Sequence, residues 1–440
     1  MKILWICNIA LPRIAEYLHM EASNKEGWLA GLSERLLEQG RESGIELAVA
    51  FPAEDLKWVV PAAEYETQFT AYGFHEDTVH PENYPEGLER RLKEIINDFE
   101  PAVVHCFGTE YPHALAAARV CHGEKLLIGI QGICTLCAES YLADLPKRVV
   151  KRVTFRDFIR KDSILQQKEK FEKRGQMERE ALGLAGFVTG RTEIDRSFAG
   201  KYSPKATYFS MNETLRRNFY EGCWEEENCE KHSIFVSQGD YPLKGLHYVL
   251  RAMPAILEKY PDAKVYVAGN SIVNRQSLKD RIKLPSYGKY LLELIERGGL
   301  QGKVQFLGRL SAEEMKLRFL KSHLFVCASS MENSPNSLGE AMLLGVPCVT
   351  AQVGGVTSVF TPGQDGLAYP GFGADCYRDA EDPEGAQAQE LARTVLQMWE
   401  QEEKIPFYTQ NARAHGARNH HARQNYDRLL TIYAQIGERK

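Results

Sequence analysis

Two glutamates with seven residues between them occur in the stretch ENSPNSLGEAMLLGVPCVTAQVGGV, residues 332–356. Apolar and small residues at helical spacing follow the first glutamate, namely Leu338, Ala341, Met342 and Gly345. This spacing predicts a helix that begins near Asn336 or Ser337. Glu332 then lies in the preceding loop, and Glu340 lies about one turn inside the helix. Because carboxylates accept hydrogen bonds from paired hydroxyls, as on a ribose or a hexose, the two glutamates indicate a hydroxyl-rich ligand.

The start of this helix is a natural place for a phosphate group. Backbone N–H groups of the first turn are expected to lack helical partners, namely those of Ser337, Leu338 and Gly339. They carry the positive end of the helix dipole, which favours anions. Glu332 would face the group attached to the phosphate, and Glu340 would face a more distant part of the ligand. This arrangement fits a ligand in which a sugar, a diphosphate and a nucleoside lie in line. The alternative is a capping role for Glu332 and a solvated position for Glu340.

A basic loop earlier in the chain could meet the same ligand. In VSQGDYPLKGLHYVL, a strand-like run leads into a loop that ends in Lys244 and Gly245, after which a helix is predicted. Gly239 and Gly245 are expected to let the backbone approach a ligand closely, and Lys244 supplies a mobile cation. Because this loop and the glutamate loop are both expected at strand ends of one sheet, they can converge on a diphosphate. The alternative is an ordinary surface lysine.

A parallel sheet must bring these loops together, and the chain predicts two such sheets. Continuous apolar runs alternate with helical patterns, which favours parallel strands covered on both faces. The runs are 3–7, 45–51, 103–107, 126–130 and 187–189, followed by 234–237, 265–268, 304–307, 324–327 and 348–350. The predicted fold class is therefore α/β, with two Rossmann-like doubly wound domains that face each other across a cleft. Such sheets bind ligands at the carboxyl ends of their strands.

Boundaries of helices and domains follow from smaller signals. The helix in GWLAGLSERLLEQG is expected to stop at Gly40, and Pro254 is expected to kink or shorten the helix in LHYVLRAMPAILEKY. The polar, acidic and aperiodic residues 216–232 form the predicted linker. The predicted domains are 1–215 and 233–410, with a C-terminal helix at 411–440 that packs back toward the first domain.

Composition excludes several classes of protein. The chain has 54 basic and 59 acidic side chains and a net charge of −5, so no basic field marks a nucleic-acid binder. The N-terminus is interpreted as a strand, and no apolar run approaches the roughly 18 residues that span a bilayer. A soluble cytoplasmic protein is expected. Most of the ten cysteines lie in strand-like apolar runs and are expected to pack as reduced thiols. The lone C-x-x-C at Cys134 and Cys137 has no second pair at zinc spacing, so a redox or zinc role is not expected there.

Charge is concentrated in one segment, KRVVKRVTFRDFIRKDSILQQKEKFEKRG, which begins at Lys147. The first interpretation is an amphipathic helix with a solvated charged face. The second is a basic face, residues 147–161, that rests on anionic lipid at the inner face of a membrane or on an anionic acceptor. Both interpretations stay open from the residues alone.

Four stretches carry a resemblance to a known family: IFVSQGDYPLKGLHYVL, DAKVYVAGN, VQFLGRLSAEEM and ENSPNSLGEAMLLGVPCVTAQVGGV. Together they resemble the donor half of a retaining, GT-B-fold glycosyltransferase of family four (glycosyl transferases group 1). In the first half, VVHCFGTEYPHALA is similar to the family's strand and loop ahead of the acceptor site. The stretch GRTEIDRSFAGKYSPKATYFSMNETLRRNFY is similar to the closing segment of the first domain in a bacterial subgroup. The resemblance spans nearly the whole chain.

The resemblance implies catalytic roles for two residues. Glu332 would bind hydroxyls of the donor sugar, and Lys244 would neutralise the diphosphate as it leaves. Glu340 would hold the ribose, N–H groups near Ser337 would share the diphosphate, and residues 309–310 would border the nucleobase. The full implied donor-binding set is Gly239, Lys244, Arg309, Leu310, Glu332, Asn336, Ser337, Leu338 and Glu340.

The implied acceptor site lies in the first domain. The resemblance places the acceptor near the start of the first long helix, at Gly27. Polar candidates from the facing strand ends are Glu110, His113 and Gln131, although His113 could equally cap a helix. His105 lies inside an apolar run and is expected to be a core histidine.

Two departures from the family pattern concern the donor. The family usually has an arginine in the loop ahead of the lysine, where residues 237–240 are Ser-Gln-Gly-Asp. Many relatives carry a histidine where Gln131 stands, and a glutamine hydrogen-bonds a hydroxyl but does not titrate. Because the diphosphate would meet one positive charge fewer, a binding protein without turnover stays an alternative to an enzyme.

The predicted function is transfer of a sugar, with retention, from a nucleotide sugar, most simply a UDP-sugar. The acceptor would be a hydroxyl of a glycan or lipid-linked molecule in bacterial surface polysaccharide synthesis. By resemblance, the acceptor attacks from the face that the diphosphate leaves, and a diphosphate oxygen takes its proton. No metal and no cofactor is expected, since the chain has no Asp-x-Asp pair and the adjacent His420 and His421 suit ligation poorly. The alternatives are a sugar-nucleotide epimerase and a non-catalytic sugar-phosphate binding protein on the same fold.

Overall fold

Contacts divide the chain into two units, each with its own parallel sheet. The computed structural model describes residues 1–20, 27–62 and 68–438. The first unit consists of Met1–Leu136, Lys170–Arg216 and Asn419–Lys440, and the second of Cys137–Glu169 and Arg217–Arg418. Residues 137–169 therefore lie in the second unit, whereas the sequence analysis placed them in the first domain. All but the first residue of the predicted linker 216–232 also belong to the second unit.

The sheet of the first unit contains the five strands that the sequence predicts for it. Its strands are β1 (Lys2–Ile6), β2 (Glu46–Pro52), β3 (Lys57–Val60), β4 (Phe69–Phe74), β5 (Val103–Phe107), β6 (Leu126–Gly129), β7 (Phe187–Gly190) and β8 (Thr207–Ser210). They pair in the order β3-β4-β2-β1-β5-β6-β7-β8. Every neighbouring pair is parallel except β3 with β4 at the edge. Strands β3, β4 and β8 are not among the predicted runs.

Helices connect these strands along the chain, and those formed by residues 137–169 belong to the second unit. They are α1 (Pro12–Tyr17), α2 (Gly27–Ser43), α3 (Leu88–Phe99), α4 (Pro112–Cys121), α5 (Cys134–Ser140), α6 (Lys147–Val150), α7 (Phe155–Arg160), α8 (Ile164–Leu184) and α9 (Glu193–Tyr202). The predicted stop of α2 at Gly40 is wrong, because the helix continues to Ser43. A helix interior tolerates a glycine at modest cost, whereas the left-handed φ of +64° that follows this helix is found at Gly44.

The second sheet is parallel throughout and contains the five strands predicted for it. Its strands are β9 (Glu230–Val236), β10 (Lys264–Ala268), β11 (Val304–Gly308), β12 (Ser322–Cys327), β13 (Cys348–Gln352) and β14 (Leu367–Pro370). They pair in the order β11-β10-β9-β12-β13-β14. The chain moves outward from β9 in one direction and then returns to the other side of β9 at β12. Strands β9 and β12 therefore flank the switch point, where open sheets of this kind bind ligands.

The helices that follow β9 along the chain include one with an internal proline. They are α10 (Leu246–Lys259), α11 (Leu278–Ile282), α12 (Ser286–Arg297), α13 (Ala312–Lys321), α14 (Asn336–Leu344), α15 (Val356–Val359), α16 (Pro383–Glu400), α17 (Ile405–Asn419) and α18 (Ala422–Gly437). The expectation that Pro254 shortens α10 is wrong, since the helix continues to Lys259. Pro254 lies on the exposed side, while Met253 and Ile256 are buried. Burial of this apolar face outweighs the lost backbone hydrogen bond.

Residues 137–169 are fastened to the second unit by buried polar contacts. The carboxylate of Asp157 accepts a hydrogen bond of 2.9 Å from the backbone N–H of Ser286. The Nε2 atom of His247 lies 2.9 Å from the backbone carbonyl of Ala143. The charged segment that follows Lys147 forms α6, α7 and the first part of α8, so the interpretation as a single helix is wrong. A periodicity count could not reveal these contacts, because they join positions more than 100 residues apart.

The expectation of a single C-terminal helix at 411–440 is wrong, because α17 ends at Asn419 and a second helix, α18, begins at Ala422 and packs on the first unit. The hydroxyl of Tyr433 accepts a hydrogen bond of 2.8 Å from Trp5 Nε1 in β1. The same hydroxyl lies 2.7 Å from Nδ1 of His105 in β5. His105 is completely buried, which confirms the expected core histidine. The chain therefore begins and ends in the same unit.

The described helices and the cysteines can each be compared with the sequence-based expectations. Across residues 1–20, 27–62 and 68–438, no helix is long and apolar enough to cross a bilayer. All ten cysteines are thiols, and Cys134 and Cys137 lie together in α5. Burial raises the pKa of the Cys106 and Cys348 thiols well above the ordinary value, so these side chains stay neutral and pack as small apolar groups.

Candidate functional site

Lys244 and Glu332 meet at the carboxyl ends of the two strands that flank the switch point. Lys244 follows β9 and Glu332 follows β12, and these strands are parallel neighbours. The Nζ atom of Lys244 lies 2.6 Å from Oε1 of Glu332. The predicted convergence of the two loops is confirmed by this contact. The roles of both residues toward a ligand stay predictions.

Close packing between the two loops explains the glycine beside Lys244. Gly245 has a φ of +69°, and a Cβ atom there would lie 1.9 Å from the backbone oxygen of Ala328, directly after β12. A Cβ atom on Gly239 would lie 2.6 Å from Leu246 Cδ2. An added Cβ at either position would collide with protein atoms, and the expectation that both glycines let the backbone approach a ligand stays a prediction. They are required because protein atoms occupy the space where a side chain would stand.

The Gly-Gly pair at 354–355 positions Glu332. The backbone N–H of Gly355 donates a 2.9 Å hydrogen bond to the carbonyl of Glu332. Gly354 has a φ of +50°, and a Cβ atom there would lie 2.0 Å from the same carbonyl oxygen. The Ser329 hydroxyl donates a 2.6 Å hydrogen bond to Oε1 of Glu332. Backbone and side chain of Glu332 are thus both held in place before any ligand binds.

The Lys244–Glu332 pair is mostly withdrawn from solvent. The exposed fractions of the two side chains are 21% and 12%. Burial alone would lower the pKa of Lys244, but attraction to the Glu332 carboxylate outweighs it and raises that pKa above the ordinary value. Lys244 is therefore a permanent cation at neutral pH. Burial, with the Glu332 charge as a smaller cause, raises the pKa of the neighbouring Cys327 thiol to about 12.

Helix α14 begins at Asn336, as predicted, with Pro335 before it. Two of the three N–H groups expected to be unpaired have a partner, because those of Leu338 and Gly339 both donate to the Pro335 carbonyl, at 3.0 and 3.2 Å. The residue that precedes a helix offers its carbonyl to this first turn, which the sequence analysis overlooked. The Oδ1 atom of Asn336 is buried and has no hydrogen-bond partner among the described residues.

Glu340 lies in α14 with 4% of its surface exposed. The alternative of a solvated helical glutamate is therefore wrong. Leu338 is completely buried, so only its backbone could contribute to a site. Ser337 and Asn336 are half-buried at the beginning of the same helix.

Arg309 belongs to a chain of polar contacts along the ends of β9, β10 and β11. Its Nε atom donates a 2.7 Å hydrogen bond to Oδ1 of Asn270. Nδ2 of Asn270 donates at 2.6 Å to Asp240, which also accepts from Gln238 Nε2 at 3.0 Å. Sequence reasoning missed Asn270 and Asp240, although both stand a few residues after a predicted strand. Arg309 is exposed, and Leu310 beside it is half-buried.

Two predicted acceptor residues, Glu110 and Gln131, follow adjacent strands of the first unit. The Glu110 carboxylate accepts hydrogen bonds from the backbone N–H groups of Thr109 and Gly132, at 2.8 and 2.6 Å. Arg191 donates to Gln131 twice, at 3.0 Å to Oε1 and at 2.9 Å to the backbone oxygen. Both side chains already satisfy protein groups. Their role in binding an acceptor stays a prediction.

His113 lies behind another residue that sequence reasoning missed. It is completely buried in α4, and its Nδ1 atom lies 2.9 Å from Oε1 of Glu76. The same carboxylate accepts the His113 N–H at 2.9 Å, so Glu76 caps the helix and the His113 ring does not. A cavity of about 270 Å³ at the ends of β1, β2 and β4 is lined by Glu76 and not by His113. At Gly27, the first residue of α2, a Cβ atom would lie 2.5 Å from the side chain of Arg216.

One group of potential metal ligands comes together within the described ranges: Glu226, His323 and Glu402. Lys231 forms ion pairs with both glutamates. The Nδ1 atom of His323 accepts the backbone N–H of His232 at 3.0 Å, which leaves the ring proton on Nε2. Burial lowers the pKa of His323 to about 4, so the ring is neutral at neutral pH. A lysine and an Nε2–H donor at this place fit an ion-pair cluster better than a metal site.

Part of the second unit matches the sequence model of a known family. Residues 224–380 match the sequence model described as "Glycosyl transferases group 1". A curated relative, the uncharacterized glycosyltransferase MJ1607 of Methanocaldococcus jannaschii, is 32% identical over 142 residues, which are 32% of this chain and 32% of that protein. The match therefore spans about a third of the relative's length. Lys244 and Glu332 both lie inside the residues 224–380 that match the family model.

Solved structures share the fold of the whole chain. Sucrose-phosphate synthase of Thermosynechococcus elongatus aligns with a TM-score of 0.67 at 13% identity, over 99% of both chains. HepE of Anabaena, solved in complex with UDP-glucose, aligns with a TM-score of 0.63 at 14% identity, over 99% of this chain and 100% of HepE. At these identities the likeness concerns the fold alone. The predicted fold class, two parallel-sheet α/β domains of the GT-B type, is confirmed.

Proposed function

We propose that the chain is a retaining glycosyltransferase that moves a sugar from a UDP-sugar to a hydroxyl of a glycan or lipid-linked acceptor. The observation that carries the proposal is the Lys244–Glu332 pair at the switch point, inside the glycosyl transferases group 1 domain. The choice of UDP is supported by HepE, which has the same fold and was solved with UDP-glucose. Transfer in bacterial surface polysaccharide synthesis, in the cytoplasm, belongs to the same proposal.

The pair suits a ligand that contains both a diphosphate and hydroxyl groups. A bound diphosphate would attract the Lys244 ammonium away from Glu332, which would free a carboxylate oxygen for hydroxyls of the donor sugar. During transfer, the bond from the sugar's anomeric carbon to the diphosphate breaks and the bond to the acceptor oxygen forms. The acceptor proton passes to a diphosphate oxygen. Lys244 and the start of α14 would stabilise the charge that develops on the leaving group, without a metal or a cofactor.

The test is release of UDP from a panel of UDP-sugars, with and without candidate acceptors, in the presence of a chelator. Turnover that needs an acceptor is expected. Lys244→Ala and Glu332→Gln should each lower the turnover number by about 10²- to 10³-fold, as for loss of one group that stabilises transition-state charge. The matched control is Lys259→Ala, which removes an exposed lysine that also pairs with a glutamate, Glu400. That variant should keep full activity.

Three results would contradict the proposal. Full turnover in Glu332→Gln would remove the central role of this carboxylate. Conversion of one UDP-sugar into its epimer without an acceptor would favour the epimerase. Binding of UDP without turnover on any sugar and acceptor would favour a non-catalytic binding protein, for which the missing arginine in residues 237–240 is the motivating feature.

A further inference from the structure

Helix α7 exposes its apolar side chains and buries its carboxylate. Asp157 is completely buried, whereas the exposed fractions of Phe155, Phe158 and Ile159 are 65%, 72% and 62%. The three apolar residues stand at i, i+3 and i+4, so they share one side of the helix. Val153 lies just before them and is also exposed. These four residues, here named the α7 apolar face, form a cluster of a kind that normally marks an interaction surface.

The orientation of α7 is fixed by its polar contacts. Thr154 and Asp157 form a reciprocal capping box, in which each side chain accepts the other residue's backbone N–H at 3.2 Å. The Asp157 carboxylate also accepts the N–H of Ser286 at 2.9 Å and pairs with Arg156 at 3.1 Å. A rotation that buried the phenylalanines would separate the Asp157 carboxylate from these hydrogen-bond partners. Loss of such partners is costly for a buried charge. Exposure of the α7 apolar face is therefore built into the fold.

Unpaired cations surround the α7 apolar face. Residues 147–161 contain seven basic residues and one acidic residue, the buried Asp157. Glu293 pairs with Arg148 at 2.9 Å and with Arg152 at 2.6 Å. Four exposed basic side chains of this segment form no ion pair with any described residue: Lys147, Lys151, Arg160 and Lys161. The surface thus combines apolar side chains with excess positive charge.

We propose that the α7 apolar face and its flanking cations dock on the surface of an anionic lipid bilayer. Apolar side chains on a short helix enter the boundary between headgroups and acyl chains, while lysine and arginine stay at the charged headgroups. The apolar area is small, so the cations must contribute, each by roughly fivefold in affinity near an anionic surface. The pattern fits lipid better than a protein partner because the positive charge flanks the apolar residues at both ends of the segment. Binding is reversible and weakens as salt rises.

The test is flotation of the full chain with vesicles of phosphatidylcholine, with or without phosphatidylglycerol. The protein should float with the anionic vesicles at low salt and stay in solution with neutral vesicles. Phe155→Ser/Phe158→Ser/Ile159→Ser should lower the affinity by about tenfold or more, since binding scales with the buried apolar area. Lys147→Glu/Lys151→Glu should lower it by a similar factor and reduce its salt dependence.

A matched control separates this surface from general stickiness. Leu317→Ser/Phe407→Ser removes two apolar side chains, each 49% exposed, from α13 and α17 of the same unit. This variant should float like the unchanged protein. Equal flotation of the α7 triple variant, or no flotation of the unchanged protein with anionic vesicles, would overturn the proposal. So would a dimer in sedimentation that the triple variant converts to a monomer, because the face would then serve a second copy of the chain.

Discussion

Lys244 carries a full positive charge that Glu332 balances before a ligand arrives. This pair should couple the stabilities of single variants. We expect Lys244→Ala/Glu332→Ala to be less destabilised than the sum of the two single variants by about 1 kcal/mol, because each single variant leaves one partly buried charge unpaired. The measurement is a double-mutant cycle by urea unfolding. The matched cycle at Lys259 and Glu400, both about half exposed, should give a coupling energy close to zero; equal coupling at the two pairs would contradict this account.

Part of the candidate site could be predicted at the scale of residues. Lys244 and Glu332 were recognisable because each stands in a loop with turn residues between a predicted strand and a predicted helix. Asp240 and Asn270 were not, since a single aspartate or asparagine after a strand is common and only the sheet order brings them together. Glu76 was missed because β4, the strand that it follows, was itself not predicted. Partners that depend on the order of strands cannot be inferred from local spacing.

At the scale of elements, contact between the loops after β9 and β12 should control the site. Gly245→Ala should lower the free energy of unfolding by more than the roughly 1–3 kcal/mol of backbone strain, because its Cβ atom would collide with the Ala328 carbonyl. It should also weaken nucleotide binding by displacing Lys244. The matched control is Gly363→Ala, whose φ is +75° but which has no atom within 4 Å of the added Cβ. Calorimetric titration that found the same weakening in both variants would contradict the role of loop contact.

Buried histidines should make the stability of the second unit depend on pH. Burial lowers the pKa of His247 to about 3, against an ordinary value near 6.5. As pH falls from 6.5 toward 3, the unfolded chain binds a proton at this histidine and the folded chain does not, so stability is lost in that window. The loss is up to about 1.4 kcal/mol per pH unit for each such residue. Urea unfolding should show a smaller drop in stability between pH 7 and pH 5 for His247→Gln than for the unchanged protein, and an equal drop in both would contradict this pH dependence.

Most of the parallel strands were predictable because strands covered on both faces are continuous apolar runs. Four strands were not among the predicted runs, and β3, β8 and β14 of these lie at sheet edges, whereas β4 does not. Strand β3 lies at the sheet edge with mostly exposed or half-buried residues, and β8 lies at the opposite edge. The ends of α2 and α10 were wrong because packing overrides the local preference of one glycine or one proline. The placement of residues 137–169 was not predictable, since it depends on distant contacts such as that of Asp157 with Ser286.

At the scale of the whole molecule, the return of the chain to the first unit should contribute to stability. Tyr433→Phe removes the partner of both Trp5 Nε1 and His105 Nδ1 in a fully buried place. The cost of leaving such buried polar groups unpaired is about 1–3 kcal/mol for each group. Unfolding of the first unit, followed by urea titration, should therefore occur at lower denaturant. Tyr17→Phe, at an exposed position, is the control, and an equal effect in both variants would contradict the role of α18.

Calorimetric titration of the chain with UDP, in the presence of a chelator, decides whether the Lys244–Glu332 pair is the donor site. The unchanged protein and Lys259→Ala should bind UDP with the same affinity. Lys244→Ala should bind at least about tenfold more weakly, which is the loss of roughly 1.4 kcal/mol from one charge-assisted contact. Equal affinity in Lys244→Ala, or no binding of UDP by the unchanged protein, would contradict the account.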